Sequence, residues 1–358
     1  MSKNTDRTTN MLRIPLINLS SHGGVRILVE LANEFSREGF RVEILIPPGK
    51  SNSVYRVDDL VNVREIGVAT GYKFIDYSIF LLILPFYLRG GVIIANFFVT
   101  YFPCRLGSLV WRESYIYFVQ DIESKYTGLV GRILNFFCEI SYRSKRIVTA
   151  NSYLAFALKE RRRHLYDTIS IGPTEPFYKI PISNEKRPYR IMYMPRHEQW
   201  KRMDRFEEIY RFLPRLSPQE ILCVGQDEDI LERLARQGYA ICRPKNDEEL
   251  VECYDRTQVF LLTSDREGFG LPPLEAMARG VPVVSFRCGG PDFYIEDGKN
   301  SYLVDDVSQA VARICTLLDD TKNWSSLSSE ARETAGQYRL ARGLEKFVEI
   351  VQSELGRP

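Results

Sequence analysis

Leu12-Arg-Ile-Pro-Leu-Ile-Asn-Leu-Ser-Ser-His-Gly-Gly24 is a short apolar run, Leu12 to Leu19, closed by a polar turn with two glycines. A run of this length reads as a buried strand. From Val25 the apolar residues fall at Leu28, Leu31, Ala32 and Phe35, the period of a helix, and Gly39 marks its stop before a second strand, Arg41 to Ile46. The three pieces form one β-α-β unit. Val92 to Ala95, Tyr115 to Val119 and Ile147 to Ala150 continue the alternation, which predicts an α/β fold with a parallel sheet wrapped by helices. The alternation stops at a stretch carrying Pro173, Pro176, Pro181 and Pro188. It restarts with strands at Arg190–Met194, Glu220–Val224, Gln258–Thr263 and Pro282–Phe286, and helices from about Met203, Asp229 and Pro272. The expected division is a first domain over 1–172, a linker over 173–188, a second domain over 189–336 and a closing helix over 337–358.

Composition agrees with two cores. The 358 residues are 44% hydrophobic and 26% charged, with 48 basic and 46 acidic side chains, which excludes disordered, collagen-like and disulfide-scaffold chains. Single cores stop growing near roughly 250–300 residues. The seven cysteines show no C-x-x-C pair or zinc spacing, and Met1 to Asn10 lacks the apolar stretch of a signal peptide. A reducing, cytoplasmic setting is expected. Ile79 to Leu88 is apolar throughout, but Pro85, Arg89, Gly90 and Gly91 interrupt the region, and a span needs about 20 apolar residues. It reads as a buried helix followed by a buried strand. Residues 1–180 hold 23 Lys/Arg against 16 Asp/Glu, a net +7, leaving −5 on the remainder. Clusters such as Arg143, Lys145, Arg146 and Arg161–Arg163 suit an anionic membrane surface, nucleic acid or a charged small molecule, and equally a solvated helix face.

Chemistry concentrates in Thr263-Ser-Asp-Arg-Glu-Gly-Phe-Gly-Leu-Pro-Pro-Leu-Glu-Ala-Met-Ala-Arg-Gly-Val-Pro-Val-Val284. A strand ends at Thr263, Gly268 and Gly270 allow close approach of a ligand to the backbone, and Pro272 and Pro273 open a helix. Exposed amides at a helix N-terminus favour a phosphate. Glu267 and Glu275 bracket this loop with seven residues between them, and carboxylates accept hydrogen bonds from sugar or ribose hydroxyls. With Phe269 and Leu271 the loop reads as a nucleotide-sugar cradle.

This pattern resembles glycosyltransferase family 4, retaining nucleotide-sugar transferases of the GT-B fold, in which two Rossmann-like domains face each other across a cleft. The resemblance runs from about 190 to 305. It includes Gly225, Asp247-Glu-Glu-Leu and Gly289-Gly-Pro-Asp-Phe-Tyr-Ile-Glu-Asp-Gly-Lys-Asn-Ser-Tyr-Leu-Val304. Over the first domain it is weaker, resting on Gly23-Gly24 and the helix after them. Pro195-Arg-His-Glu-Gln-Trp-Lys201 lies at the carboxyl end of a strand, where ligands of open α/β sheets bind. The resemblance implies that Arg196 and Lys201 hold the donor diphosphate, although Arg202 stands where the family has a glycine. Phe118-Val-Gln-Asp-Ile-Glu123 places Gln120 and Asp121 where many members carry His-Asp, the His contacting the donor sugar, commonly at its 6-hydroxyl. The Val-Gln-Asp form resembles a branch with rhamnosyltransferases, so a 6-deoxy donor is one implication and the sugar stays open. His22 reads as a donor or acceptor contact or as incidental.

The resulting expectation is a glycosyltransferase with catalytic Arg196, Lys201 and Glu267, donor-binding Gly268, Phe269, Gly270, Leu271 and Glu275, and first-domain contacts Gly23, Gly24, Gln120 and Asp121. Its partners are a nucleotide sugar, a saccharide or lipid-linked acceptor and an anionic membrane touched peripherally, with no nucleic acid. No cofactor or metal is expected. Asp227-Glu-Asp229 matches a metal-binding Asp-x-Asp but sits where acids complement a helix dipole. The absence of a Walker loop and of G-x-G-x-x-G weakens kinase and dehydrogenase readings. A nucleotide-sugar epimerase, a phosphorylase and a non-catalytic binding subunit of the same fold remain as alternatives.

Overall fold

The computed structural model describes residues 10–19, 23–51, 55–124, 126–161, 167–179, 187–213 and 216–355. His22, Arg162, Arg163 and Pro181 lie outside the described residues, and nothing is described of the Arg161 side chain. The chain divides into two compact units, 1–171 with 342–358, and 172–341.

The first unit is built on strands β1 (Met11–Pro15), β2 (Arg41–Ile46), β3 (Val61–Glu65), β4 (Val92–Ala95), β5 (Ser114–Val119), β6 (Ile147–Thr149) and β7 (Asp167–Thr168). Its helices are α1 (Gly23–Arg37), α2 (Lys73–Ile83), α3 (Phe98–Trp111), α4 (Gly128–Ser141) and α5 (Ser152–Arg161). All strand pairs are parallel, in the order β3-β2-β1-β4-β5-β6-β7. The run read as a strand to Leu19 stops pairing earlier: Pro15 is the last residue of β1 in register, opposite Leu45, and the amide of Leu16 makes one further bond to Leu45.

The second unit carries β8 (Tyr189–Tyr193), α6 (Met203–Phe212), β9 (Ile221–Val224), α7 (Glu228–Arg236), β10 (Ala240–Cys242), α8 (Asp247–Asp255), β11 (Thr257–Leu262), α9 (Leu271–Ala278), β12 (Val283–Phe286), β13 (Tyr302–Val304), α10 (Val307–Asp319) and α11 (Thr321–Gly336). Its parallel order is β10-β9-β8-β11-β12-β13. Central strands buried on both faces need continuous apolar runs, and Ile221–Val224 and Val283–Phe286 are buried at every position. In both sheets the order reverses once, between β1 and β4 and between β8 and β11. Ligands of open α/β sheets bind outside the carboxyl ends of the strands at such a reversal.

The last helix, α12 (Leu340–Leu355), places Phe347 fully buried within the first unit, 5.9 Å from the ring of Phe35 and 5.0 Å from that of Phe118. Residues 173–179, read as the start of a linker, are built into the second unit. Phe177 is fully buried there, and the Tyr178 hydroxyl donates to the carbonyl of Tyr338 at 2.6 Å.

The apolar run at 79–88 meets its expectation only in part, with Phe80, Leu84, Pro85 and Leu88 buried. Strand β4 is buried throughout, but of α2 only Phe80 is buried, while Leu82 and Phe86 are 74% and 68% exposed. A helix apolar all round can cover only one side against its neighbours, and here the other side faces outward.

One buried charge braces the second unit. Arg279, at the end of α9 and 1% exposed, donates from Nε and Nη2 to the two carboxylate oxygens of Asp255, each at 2.8 Å. Its Nη1 reaches the carbonyls of Phe177 and Lys179. Removing one partner of such a pair leaves a buried charge uncompensated, at about 3–5 kcal/mol. Asp255→Ala is therefore expected to lower the unfolding free energy by about that amount in urea titrations, and the double variant Asp255→Leu/Arg279→Met to recover most of it. Equal losses in both would contradict a stranded charge.

Candidate functional site

Two loops meet at the reversal in the second sheet. One follows β8 and ends in a single 3-10 turn, Gln199–Lys201; the other follows β11 and leads into α9. They are tied by backbone and side chain. The Thr263 hydroxyl donates to the carbonyl of Lys201 at 2.7 Å, and the Asp265 amide to that of Trp200 at 2.7 Å. The guanidinium of Arg266 lies 4.2 Å from the Trp200 ring centroid. With the backbone so fixed, Lys201 Nζ reaches both carboxylate oxygens of Glu267, at 2.8 and 3.0 Å. The Ser264 hydroxyl adds a bond of 2.6 Å to the first of them. A carboxylate has about four acceptor sites and an ammonium three donors. Lys201 and Ser264 use three of Glu267's, and Glu267 uses two of Lys201's, which leaves one donor direction on the cation.

Glu267 then enters a short parallel bridge with Gly289, its amide donating to Cys288 and its carbonyl accepting from Gly290. Gly270 follows with φ +77°, and a Cβ there would stand 2.7 Å from Pro291 and 2.9 Å from the Tyr294 hydroxyl, which donates to the Gly270 carbonyl at 2.7 Å. Both the left-handed backbone and the close approach require glycine. Helix α9 begins at Leu271, with Pro272 and Pro273 as its second and third residues. The prolines carry no N–H, so the N-terminal donors come from earlier in the chain than a proline-opened helix suggests. Among the described residues the amides of Phe269, Gly270 and Leu271 have no hydrogen-bond partner. These three amides and the positive end of α9 suit an anion.

The sequence-derived residues fall into distinct surroundings. Lys201, Glu267, Gly268, Gly270 and Leu271 come together on the two loops. The Phe269 side chain turns inward, 8% exposed, against Tyr294 and Tyr338, so only its backbone lines the loop. Glu275 is 4% exposed on α9, and the Tyr254 hydroxyl lies 3.0 Å from its Oε2 and 3.1 Å from the Pro272 carbonyl. Arg196 is exposed and makes no hydrogen bond or ion pair among the described residues. Asp227 caps α7, accepting from the Ile230 amide at 3.1 Å, and its other oxygen lies 3.0 Å from His197 Nε2.

In the first unit Gly23 and Gly24 open α1 after β1, and Gln120 follows β5. A Cβ on Gly24 would stand 3.2 Å from Gln120 Oε1, a buried oxygen with no hydrogen-bond partner among the described residues. Asp121 Oδ1 accepts from the Ile122 amide at 2.7 Å.

Sequence reasoning missed Thr263, Ser264 and Tyr254. Tyr254 follows Leu250 by one helical turn on α8, a spacing that points both to one face. The two hydroxyls carry no pattern of their own. Arg202, where the resembling family has glycine, adopts φ +51° and ψ +58° and pairs with Asp204 at 2.7 Å and Asp265 at 3.2 Å.

Residues 188–320 match the family model described as Glycosyl transferases group 1. D-inositol 3-phosphate glycosyltransferase of Corynebacterium urealyticum is 32% identical over 35% of this chain and 30% of its own length. The GtfA subunit of the UDP-N-acetylglucosamine–peptide N-acetylglucosaminyltransferase of Streptococcus pneumoniae serotype 4 is 28% identical over 52% and 40%. The chain thus spans well under half of the length of these relatives. Among solved structures, sucrose-phosphate synthase from Thermosynechococcus elongatus superposes with a TM-score of 0.79 at 14% identity, covering 96% of this chain and 98% of that one. Anabaena HepE in complex with UDP-glucose gives 0.74 at 16%, covering 96% and 99%. At these identities the likeness shows the fold, which is GT-B.

The left-handed backbone at Arg202 sets a testable demand. Glycine meets it without steric cost but loses two part-exposed ion pairs worth about 0–1 kcal/mol each, whereas a β-branched residue meets a barrier of about 1–2 kcal/mol and loses the pairs as well. Arg202→Gly is expected to stay within about 1 kcal/mol of the parent in chemical denaturation and Arg202→Val to lose about 2 kcal/mol or more. Equal stability of the two variants would contradict a strained backbone.

Proposed function

We propose that this protein transfers a hexosyl group from a nucleoside diphosphate sugar to a saccharide or lipid-linked acceptor, with retention at the anomeric carbon and no divalent metal. The observation that carries the reading is the pairing of Lys201 with Glu267 beside three amides at the start of α9 that have no partner among the described residues. A cation and peptide donors gathered at a sheet reversal suit a diphosphate. The family match over 188–320 supports the reading independently, and a solved neighbour that holds UDP-glucose makes UDP-sugars the first donors to test.

In the proposed reaction the bond between the anomeric carbon and the diphosphate oxygen breaks as the acceptor oxygen forms its bond on the same face. The acceptor's proton passes to a diphosphate oxygen. The leaving group gains negative charge during this step, and preplaced donors are worth most where charge develops. Lys201 is held by Glu267, with one N–H direction left for the leaving group. Arg196 supplies a second cation, so charge neutralisation needs no metal. Glu275, buried against Tyr254, is assigned to a hydroxyl of the nucleotide's ribose. Gln120 Oε1 in the first unit is assigned to a carbohydrate hydroxyl, since a buried acceptor without a partner among the described residues suits a donor brought by a ligand.

Calorimetric titration of nucleotide sugars, with and without magnesium, tests the site. Loss of a hydrogen bond to a charged group removes about 1.5–3 kcal/mol, so Lys201→Ala is expected to weaken donor binding about 10- to 100-fold while Glu275→Ala weakens it to a similar degree. Undiminished binding by both variants would overturn the assignment. Release of nucleoside diphosphate should depend on added acceptor; release without one would point to an epimerase instead.

A further inference from the structure

The exposed apolar surface of the molecule is concentrated in one unit. Of the 20 large apolar side chains exposed among the described residues, 17 lie in the first unit. Twelve of these sit on α2, the 3-10 turn Leu84–Tyr87 that follows it, α3 and α4. Helix α4 has its polarity reversed. Its buried positions are Gly131, Cys138 and Ser141, whereas Leu129, Ile133, Phe136 and Phe137 face outward. Helix α3 presents Leu106, Leu109 and Val110 outward, and α2 presents Phe74 and Leu82, 84% and 74% exposed. These stripes adjoin. The Trp111 indole at the end of α3 donates to the Pro85 carbonyl at 2.8 Å, and Phe102 of α3 meets Phe137 of α4 edge to face at 5.6 Å.

The charges exposed around the face are mostly basic, with Asp121 the exposed acid among the described residues there. Residues 72–146 hold nine Lys/Arg and five Asp/Glu. Lys73, Arg89, Arg112, Arg132, Arg143 and Lys145 are exposed. Several of the acids are turned to the backbone instead: Asp76 accepts from the Thr70 amide, Glu113 from those of Gly90 and Gly91, and Glu123 from that of Phe98. An outward apolar face with a basic rim is the pattern of an element lying in the boundary of an anionic bilayer, its rings in the acyl region and its cations among the headgroups. No helix among the described residues is long and apolar enough to cross a membrane. A second copy of this chain would instead oppose one basic rim with another.

We propose that the face formed by α2, α3 and α4 docks on the surface of an anionic lipid bilayer. The proposal stands apart from the transfer reaction and needs neither donor nor acceptor to be tested. The experiment is co-sedimentation of the full chain with vesicles of phosphatidylcholine alone and with one-third phosphatidylglycerol, at low and high salt. The parent is expected to pellet with the anionic vesicles and much less with neutral ones, and to be released by salt. The triple variant Phe74→Ser/Leu82→Ser/Phe136→Ser is expected to lose tenfold or more in partitioning. Arg132→Gln and Arg143→Gln should each lose about fivefold. Unchanged melting and unchanged donor affinity of the variants keep a folding defect apart from a docking defect. A parent that stays in the supernatant, or a triple variant that pellets like the parent, would overturn the proposal. So would a parent that is dimeric in sedimentation velocity, made monomeric by the triple variant, without binding vesicles.

Discussion

The ammonium of Lys201 is held on the carboxylate of Glu267 across the point where the second sheet reverses its strand order. β8 and β11 are neighbours in space but 64 residues apart from the last residue of one to the first of the other. Their loops therefore bring together residues no local pattern could join. The cation cannot be placed by its own flexible stem, which would sacrifice rotamer freedom for every contact. Thr263 and Asp265 fix the backbone of the 3-10 turn, and Ser264 fixes the carboxylate that receives the ammonium. The positive charge thus has one position before any ligand arrives, which is the condition under which charge stabilises a leaving group without reorganisation.

Helix α9 needs support of a different kind. It is short, starts at a left-handed glycine and carries a buried glutamate, Glu275. Arg279 anchors its far end to Asp255 of α8 and to the carbonyls of Phe177 and Lys179, while Tyr254 of the same α8 reaches Glu275. Helix α8 thereby holds α9 at two places.

Much of this was legible in the sequence because the signals are local. The alternation of strands and helices, the double proline opening α9 and the Gly-x-Gly loop all follow from residues within one or two turns of each other. Strands Arg41–Ile46 and Val92–Ala95 fall where periodicity put them. What escaped was set by distance or by direction. Tyr254 and Arg279 act through partners 21 and 24 residues away. The run at 79–88 reads as buried because apolar residues usually face a core, and Leu82 and Phe86 within it do not. Periodicity shows that a helix has an apolar side without showing whether protein covers it. Arg202 is a related case: a departure from glycine was visible, and only the backbone reveals that the position is left-handed.

The two units carry different kinds of surface. The second gathers a fixed cation, amides with no partner among the described residues and a glutamate at a sheet reversal. The first presents apolar helix faces and outward basic side chains. The central claim concerns the second and is tested most directly by amide chemical shifts in isotopically labelled protein during titration with a nucleoside diphosphate and, separately, with the nucleoside. The account predicts that the diphosphate moves the amides of Phe269, Gly270 and Leu271 strongly while the nucleoside leaves them nearly in place. Binding of the diphosphate with those three amides unmoved would contradict it.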